Sequence, residues 1–358
     1  MKQYLILLLF LVSLCQNLSA QYDSQYENSF NTLNEMLLDS SKYNFKKAVF
    51  SIENAYSKGM MDTLFLNKKI ENLKILASKL VEGRTLKYQE KDRDVVAKYA
   101  ALFSVLNDSI PIQDGQGNSF YYEPFSYDFD DPFGHEDWSN MFVSKLLKTG
   151  KGNCHSLPYL YKILAEELGV KAHLALAPNH LYIKHKNEKD GWYNTELTSG
   201  IFPIDAWLMA SGYIHTDAIR NGVFMKALGD KESIALCLVD LAQAYQREEF
   251  YDVNFVIKCA NKALEYYPNY VNAMILKTEA KGKKMENILL GHYTDFKDVN
   301  NFPETRELLA EVQNELTKIY ELGYRQMPEE MYLNWLVSLK EEREKYSNQD
   351  INTFNATD

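Results

Sequence analysis

The stretch TGKGNCHSLPYLYKILAEELG, Thr149–Gly169, decides the fold of the segment around it. Its opening residues, Thr149–Asn153, are mostly small or polar and predict a turn. From about Cys154 to Leu168, apolar residues recur at three- and four-residue spacing, which predicts an amphipathic helix. These residues are Leu157, Leu160, Tyr161, Leu164, Ala165 and Leu168. Gly169 then ends the helix, as a glycine in the left-handed conformation commonly does.

The predicted helix has Cys154 at its N-terminus. At that end, unpaired backbone N–H groups and the helix macrodipole stabilise a thiolate. Because the thiolate is the reactive form of cysteine, this position predicts a nucleophile. The next residue, His155, points about 100° away on a helix, so we consider it only as a side chain that lines the cleft.

Three strands are predicted after this helix. They cover Val170–Ala177, His180–Lys186 and Trp192–Leu197. The corner Pro178–Asn179 and the polar turn Asn187–Gly191 separate them. A helix followed by antiparallel strands is typical of an α+β arrangement.

Two residues on these strands complete a predicted triad with the cysteine. His180 opens the second strand and is the candidate base that keeps Cys154 ionised. Glu196, on the third strand, is the candidate that orients His180 and stabilises its imidazolium form. Because side chains alternate along a strand, Trp192, Asn194 and Glu196 share one face. Asn194 is therefore the alternative third member of the triad.

Acyl transfer also needs donors for the oxyanion that forms on the substrate. The backbone N–H of Cys154 is one candidate. A second donor could come from Trp138, Asn140 or Tyr127, and the sequence does not choose among them. Trp192, like His155, is a further candidate for contact with the substrate.

A metal site is not favoured. The residues with suitable ligand chemistry are Cys154, His155, His180 and His185. However, no Cys-x-x-Cys or His-x-x-x-His spacing supports a zinc site. His173 and His185 are expected to be structural or solvated. The sequence predicts neither a metal nor another cofactor.

At these residues the sequence resembles the transglutaminase-like superfamily, which has a papain-like thiol fold. The segment GKGNCHSLPYLYKILAEELGVKAHLAL (150–176) resembles its nucleophile helix and first strand. PNHLYIK (178–184) resembles its histidine strand. DGWYNTELTSG (190–200) matches its Trp, acid-x-Thr segment through Trp192, Glu196 and Thr198. The family usually has Asp where this chain has Glu196, and the resemblance covers roughly Trp138 to Gly200.

The resemblance implies a cysteine enzyme that acts on an amide or peptide bond. Cys154 would form a thioester, His180 would move the proton and Glu196 would orient His180. Hydrolysis is expected rather than cross-linking, with a peptide or protein as substrate. The alternative is a catalytically inactive module that serves as a scaffold for protein interactions.

The N-terminus predicts export. A short positive start at Lys2 precedes an almost continuous apolar run, Tyr4–Leu14, and a small polar region that ends at Ala20. This pattern is typical of a signal peptide cleaved after Ala20, and the run is too short for an ordinary transmembrane helix. The chain is therefore expected in the periplasm or outside the cell. Three cysteines remain after cleavage, so at least one thiol is free in the monomer.

Helical segments are predicted on both sides of the core. In the C-terminal part, one helical face carries Leu238, Leu241, Ala242 and Tyr245, and the next carries Val256, Ala260 and Ala263 before Pro268. These positions resemble a tetratricopeptide repeat, which implies a possible protein partner. Cys237 and Cys259 lie on the apolar faces, as packing residues or as a pair. The predicted division is 1–20 signal peptide, 21–115 helical region, 116–225 transglutaminase-like core, 226–346 repeat-like helices and 347–358 polar tail.

Composition limits the possible partners. The chain has 358 residues, with 39 Lys and Arg against 49 Asp and Glu, for a net charge of -10. An acidic chain lacks the basic surface that a general nucleic-acid binder needs. The mean hydropathy of -0.37 excludes a polytopic membrane protein. The expected product is a mainly helical α+β protein that binds no nucleic acid and has no integral membrane segment.

Overall fold

The computed structural model describes residues 24–113, 116–345 and 354–356. The prediction of a mainly helical α+β chain is confirmed. The predicted signal peptide and most of the predicted polar tail lie outside the described residues. Among the residues that are described, every helix is too short or too polar to cross a membrane.

Thirteen α-helices are described. They are α1 (24–38), α2 (Phe45–Tyr56), α3 (Thr63–Gly83), α4 (Arg93–Asn107), α5 (Val143–Thr149), α6 (Ser156–Glu167), α7 (Asp205–Ser211), α8 (Thr216–Arg220), α9 (Asp230–Tyr245), α10 (Val253–Tyr266), α11 (Val271–Gly291), α12 (Pro303–Glu321) and α13 (Glu329–Lys345). Short 3-10 helices cover Ser40–Lys42, Trp138–Met141 and Phe296–Asn301.

The described strands form small sheets. They are β1 (Arg84–Leu86), β2 (Ile110–Gln113), β3 (Ser119–Tyr122), β4 (Ser126–Tyr127), β5 (Lys151–Gly152), β6 (His173–Ala177), β7 (His180–Asn187), β8 (Gly191–Thr195) and β9 (Phe354–Ala356). The largest sheet has the order β6-β7-β8 and is antiparallel. The pairs β1-β9 and β2-β3 are also antiparallel, whereas β4 and β5 are parallel.

The chain forms two compact units, each built from separated segments. The first unit contains the described residues up to Asp62 together with Asp230–Leu316, and the second contains Thr63–Gly229 together with the described residues from Thr317 onward. The division predicted from the sequence consists of consecutive segments, whereas each observed unit combines segments that are far apart in the chain. Contacts between residues far apart in the chain, which local patterns do not reveal, produce the discontinuous arrangement.

The first unit is built from helices. The consecutive helices α9, α10 and α11 pack on one another, and α2 packs on α9. Cys237 on α9 and Cys259 on α10 are fully buried and both are free thiols, so the pair that the sequence left open is not formed. Both cysteines therefore act as small apolar packing residues.

The second unit places helix α6 against the three-stranded sheet. Every residue from Ser156 to Ala165 is buried, because α6 contacts α3, α4 and α5 as well as strands β6 and β7. The central strand β7 is buried along most of its length. β6 is an outer strand of this sheet. The backbone N–H groups of Met225 and Leu228 donate to the carbonyl oxygens of Leu176 and Leu174 on β6, so the segment 225–228 covers the edge that β6 forms.

Two local predictions differ from the structure. The amphipathic pattern from Trp138 to Leu147 predicts one helix, but the structure has a 3-10 helix followed by α5, because Phe142 between them has an extended backbone. The turn clusters and aromatic residues of Asn107–Gly134 predict a linker, but this segment contains the hairpin β2-β3, in which Ile110 pairs with Tyr122. Alternation of polar and apolar residues is weak in both hairpin strands, so the pattern did not predict them.

Candidate active site

The turn before α6 is fixed by its own side chains. Asn153 is buried, and its Oδ1 accepts hydrogen bonds from the backbone N–H groups of His155 at 3.0 Å and Ser156 at 3.1 Å. These bonds satisfy donors that the start of a helix leaves unpaired. A Cβ on Gly152 would lie 2.5 Å from Ser156 Oγ and 2.8 Å from a Leu146 methyl group, so a larger residue there would force these side chains to shift. The turn therefore holds Cys154 at the N-terminal end of α6.

His180 interacts with both Cys154 and Glu196. Its Nε2 lies 3.2 Å from Glu196 Oε1, within ion-pair distance. The side chains of His180 and Glu196 are 0% and 1% exposed. Cys154 is 9% exposed, and its Sγ lies 3.7 Å from the carbonyl oxygen of Asn179. The structure thus brings the three predicted triad residues together in a buried cluster.

Glu196 is held by the turn that follows β8. Its Oε1 accepts a hydrogen bond from the Thr198 N–H at 2.8 Å, and its Oε2 accepts one from the Ser199 N–H at 2.7 Å. The backbone of Glu196 also pairs with Ile201. A glutamate is long enough to accept both bonds while it faces His180.

The charges of this cluster favour an ionised pair. Burial opposes ionisation of Cys154, but hydrogen bonding and charge from His180 hold the pKa of the thiol below its usual range. Burial also opposes protonation of the imidazole, yet Cys154 and Glu196 raise the pKa of His180 to about 9. The pKa of Glu196 is lowered because hydrogen bonds and charge from His180 outweigh its burial. A thiolate beside an imidazolium is the activated form of a cysteine nucleophile.

Two aromatic side chains of α13 cover this cluster, and we refer to Tyr332 and Trp335 as the α13 cover. The Tyr332 hydroxyl lies 3.1 Å from His180 Nδ1, and Tyr332 is fully buried. The Trp335 ring packs edge-on against the His180 ring, with 4.9 Å between their centres. Trp335 Nε1 donates a hydrogen bond to Ser211 Oγ at 3.0 Å. The cover therefore limits access to the imidazole.

The start of α13 and the residues just before it make polar contacts near His180. Asn179 donates through Nδ2 to the Met327 carbonyl at 2.8 Å, and His135 pairs with Glu329 at 3.1 Å. A groove of about 610 Å³ lies beside the α13 cover. It is lined by Ser211, Tyr213, Pro328, Glu330, Met331, Asn334, Trp335 and Ser338. Sequence reasoning missed both cover residues, since no local motif links them to residues so much earlier in the chain.

The alternative third member, Asn194, is placed elsewhere. It pairs with Lys184 in the β7–β8 ladder, and its Nδ2 donates to the Pro203 carbonyl and to Asp205 Oδ1. Trp192 is also distant from His180, because it pairs with Lys186. Six strand residues correspond to about 20 Å. The structure therefore brings Glu196, but neither Asn194 nor Trp192, to the imidazole.

The residues predicted to donate to the oxyanion or to contact the substrate occupy different positions around the turn that precedes α6. Trp138 opens the 3-10 helix whose last residue, Met141, faces that turn. The Met141 carbonyl accepts a hydrogen bond from His155 Nδ1 at 2.9 Å, so the His155 ring is turned toward Met141. Asn140 is buried, and its Nδ2 donates to the carbonyl and carboxylate oxygens of Asp131. Asn140 therefore supports the preceding loop.

The remaining histidines of the sheet have structural surroundings. His185 is buried between aromatic rings, and burial lowers its pKa to about 3, so it is neutral. Its Nε2 lies 2.9 Å from the Tyr161 hydroxyl. His173 lies against Trp192 at the other end of the strands. In the described part of the chain, no cluster of three or more His, Cys, Asp or Glu residues could hold a metal ion.

Comparison with solved structures finds a distant structural neighbour. No family model matches the chain, and no curated protein matches it. The chain is similar to menin, whose crystal structure reveals the binding site for the Mixed Lineage Leukemia (MLL) protein. The alignment covers 90% of this chain and 67% of that chain, with 12% sequence identity and a TM-score of 0.46. At this level of similarity, no function is transferred from menin.

Proposed function

We propose that the chain is an exported thiol enzyme of transglutaminase-like type. Cys154 attacks the carbonyl carbon of an amide or peptide bond and forms a thioester. His180 moves the proton, Glu196 orients His180, and water completes hydrolysis in preference to transfer onto an amine. The observation that carries this proposal is the interaction of His180 with both Cys154 and Glu196, in a buried cluster that favours thiolate and imidazolium.

The chemistry requires each group in one protonation state. The sulfur must be ionised to attack, and the imidazolium must donate a proton to the leaving amine. Because the pKa of His180 is about 9, the imidazolium persists across neutral pH. The low pKa of Cys154 keeps the thiolate available over the same range. The cluster is therefore prepared for acyl transfer before a substrate arrives.

The test is the pH dependence of alkylation by iodoacetamide, with the modified cysteine identified by mass spectrometry. We expect the rate constant for Cys154 to level off below the ordinary thiol pKa of about 8.5. The measurement is made on the parent and on a Trp335→Ala variant, so that the α13 cover does not conceal the thiol. An inflection at or above about 8.5 in both proteins overturns the proposal.

A second function is favoured by one observation, the coverage of the triad by Tyr332 and Trp335. In this alternative, the core is catalytically inactive and the chain is a scaffold whose repeat-like helices, α9–α11, bind a protein partner. A Cys154→Ala variant separates the two proposals. Loss of the biological phenotype supports the enzyme, whereas full retention supports the scaffold.

A further inference from the structure

Tyr127 is held beside the nucleophile turn by backbone hydrogen bonds. Its strand, β4, pairs in parallel with β5, and Tyr127 is opposite Gly152. The Ser126 N–H donates to the Gly150 carbonyl at 2.9 Å, and the Asp128 N–H donates to the Gly152 carbonyl at 2.7 Å. Because Cys154 follows Gly152 so closely, this short ladder fixes the Tyr127 backbone next to the nucleophile.

The Tyr127 side chain is directed into the buried site. The residue is 9% exposed, and its ring packs on Phe129 with 4.7 Å between ring centres. Within the described part of the chain, its hydroxyl makes no hydrogen bond of normal geometry. It nevertheless lies near enough to Cys154 and Tyr332 to interact with both. A buried hydroxyl without a full partner is unfavourable, and its O–H has donor capacity left for a substrate atom.

The hydroxyl of Tyr127 stays protonated. Burial raises the pKa of Tyr127, and the negative charge of Cys154 raises it further. Across the range in which the thiolate and imidazolium coexist, Tyr127 can therefore donate a hydrogen bond to an anion. A preorganised donor in a water-poor site is the arrangement that stabilises a developing oxyanion.

Two other polar side chains near the turn, Asn140 and Asn153, already make hydrogen bonds to protein atoms. The amide group of Asn140 donates to Asp131, and its Oδ1 accepts from Lys145. The amide group of Asn153 donates to the Pro132 carbonyl at 3.1 Å. Of Asn140 and Tyr127, two of the donors that the sequence left open, Tyr127 is the one whose hydroxyl lies close enough to the sulfur to interact with it.

We propose that Tyr127 is a catalytic residue, the side-chain donor of the oxyanion hole for acyl transfer to Cys154. This inference rests on the proposed function. When the thiolate attacks, the S–C bond forms and the carbonyl π electrons move to oxygen, where the Tyr127 O–H donates to the anion. Collapse restores the carbonyl and expels the leaving group, which takes its proton from the His180 imidazolium when it is an amine.

The experiment compares two reactions of the same sulfur in Tyr127→Phe and in the parent chain. Acylation by p-nitrophenyl acetate passes through a tetrahedral oxyanion and is followed as p-nitrophenolate release. Alkylation by iodoacetamide displaces iodide at a saturated carbon and forms no oxyanion. We expect acylation to slow about 10²-fold, as for loss of one oxyanion donor, while alkylation stays within about twofold.

Tyr182→Phe is the matched control, because Tyr182 is also buried with an unpartnered hydroxyl in the described part of the chain. It should leave the ratio of acylation to alkylation unchanged, and thermal unfolding should verify that each variant is folded. An unchanged ratio in Tyr127→Phe overturns the inference, as does a parent chain that alkylates without acylating. Absence of reaction with either reagent in both the parent and Trp335→Ala, or a Cys154→Ala variant that still acylates, overturns the proposed function itself.

Discussion

Cys154 and Cys259 are both buried free thiols, but their acidities move in opposite directions. On helix α10 of the first unit, burial raises the pKa of Cys259, and its charged neighbours do not offset that effect. In the second unit, burial acts on Cys154 in the same sense, but His180 lowers the pKa below its usual range. Burial sets the cost of ionising a cysteine, and a paired cation decides whether the thiolate forms.

The imidazolium form of His180, the cation beside Cys154, depends in turn on Glu196. Glu196 raises the pKa of His180 together with Cys154, and backbone N–H groups hold the Glu196 carboxylate in place. The surroundings of Cys259 include the buried apolar residues Val256, Ala260 and Ala263 of the same helix. A reactive cysteine therefore requires several positioned polar groups, whereas a packing cysteine requires only a close fit.

The largest expected difference between the two cysteines is the effect of removing each thiol on the rate of acyl transfer. Cys154→Ala is expected to lower acyl transfer about 10³-fold or more, because the nucleophile is lost. Cys259→Ala should leave the rate within about twofold and lower the free energy of unfolding by about 1 kcal/mol, because a small cavity remains. The measurements are p-nitrophenyl acetate turnover and urea-induced unfolding. Equal loss of turnover in both variants would contradict the separation of roles.

Removing the charge that supports His180 should give the next largest effect. Glu196→Gln is expected to slow acyl transfer about 10²-fold, since proton transfer by the imidazole becomes less efficient. With an amide substrate, catalysis needs the imidazolium as an acid for the leaving amine, so the rate of amide cleavage falls as pH rises through the His180 pKa of about 9. Without the Glu196 charge that pKa is lower, and the upper limb of the pH profile should move to lower pH.

Asn194→Ala is the matched control for this profile. Asn194 is buried on the neighbouring strand, but it donates to Pro203 and Asp205 and not to His180. The variant should lower stability by about 1–3 kcal/mol while the upper limb stays in place. An equal shift of the limb in both variants would show that general loosening, and not the carboxylate charge, sets the pKa of His180.

Local patterns predicted the strands of the site well. The predicted strand His180–Lys186 is observed as His180–Asn187, and the turn before α6 is at the predicted position. Strand alternation grouped Asn194 with Glu196, but β8 ends at Thr195. Glu196 therefore leaves the ladder and turns to His180, while Asn194 keeps its strand neighbours. A strand pattern does not report the end of a ladder to one residue.

The position of the α13 cover could not be predicted from the sequence. The apolar spacing in Glu330–Tyr346 predicts a helical segment there, and α13 is observed as Glu329–Lys345. However, this spacing gave no sign that Tyr332 and Trp335 pack on His180. Helical spacing identifies which residues share a face, whereas the partner of that face depends on the path of the whole chain. The discontinuous second unit follows from the same kind of distant contact.

Opening the cover should give the smallest effect and sharpen the comparison of the two thiols. Trp335→Ala removes the ring against His180 and the hydrogen bond to Ser211, which favours local opening of α13. We expect iodoacetamide to modify Cys154 about tenfold faster, which corresponds to about 1.4 kcal/mol in the opening equilibrium. Cys259 serves as the internal control, because its modification requires unfolding of the other unit. If both thiols react faster by the same factor, the tryptophan supports global stability and does not act as a local cover.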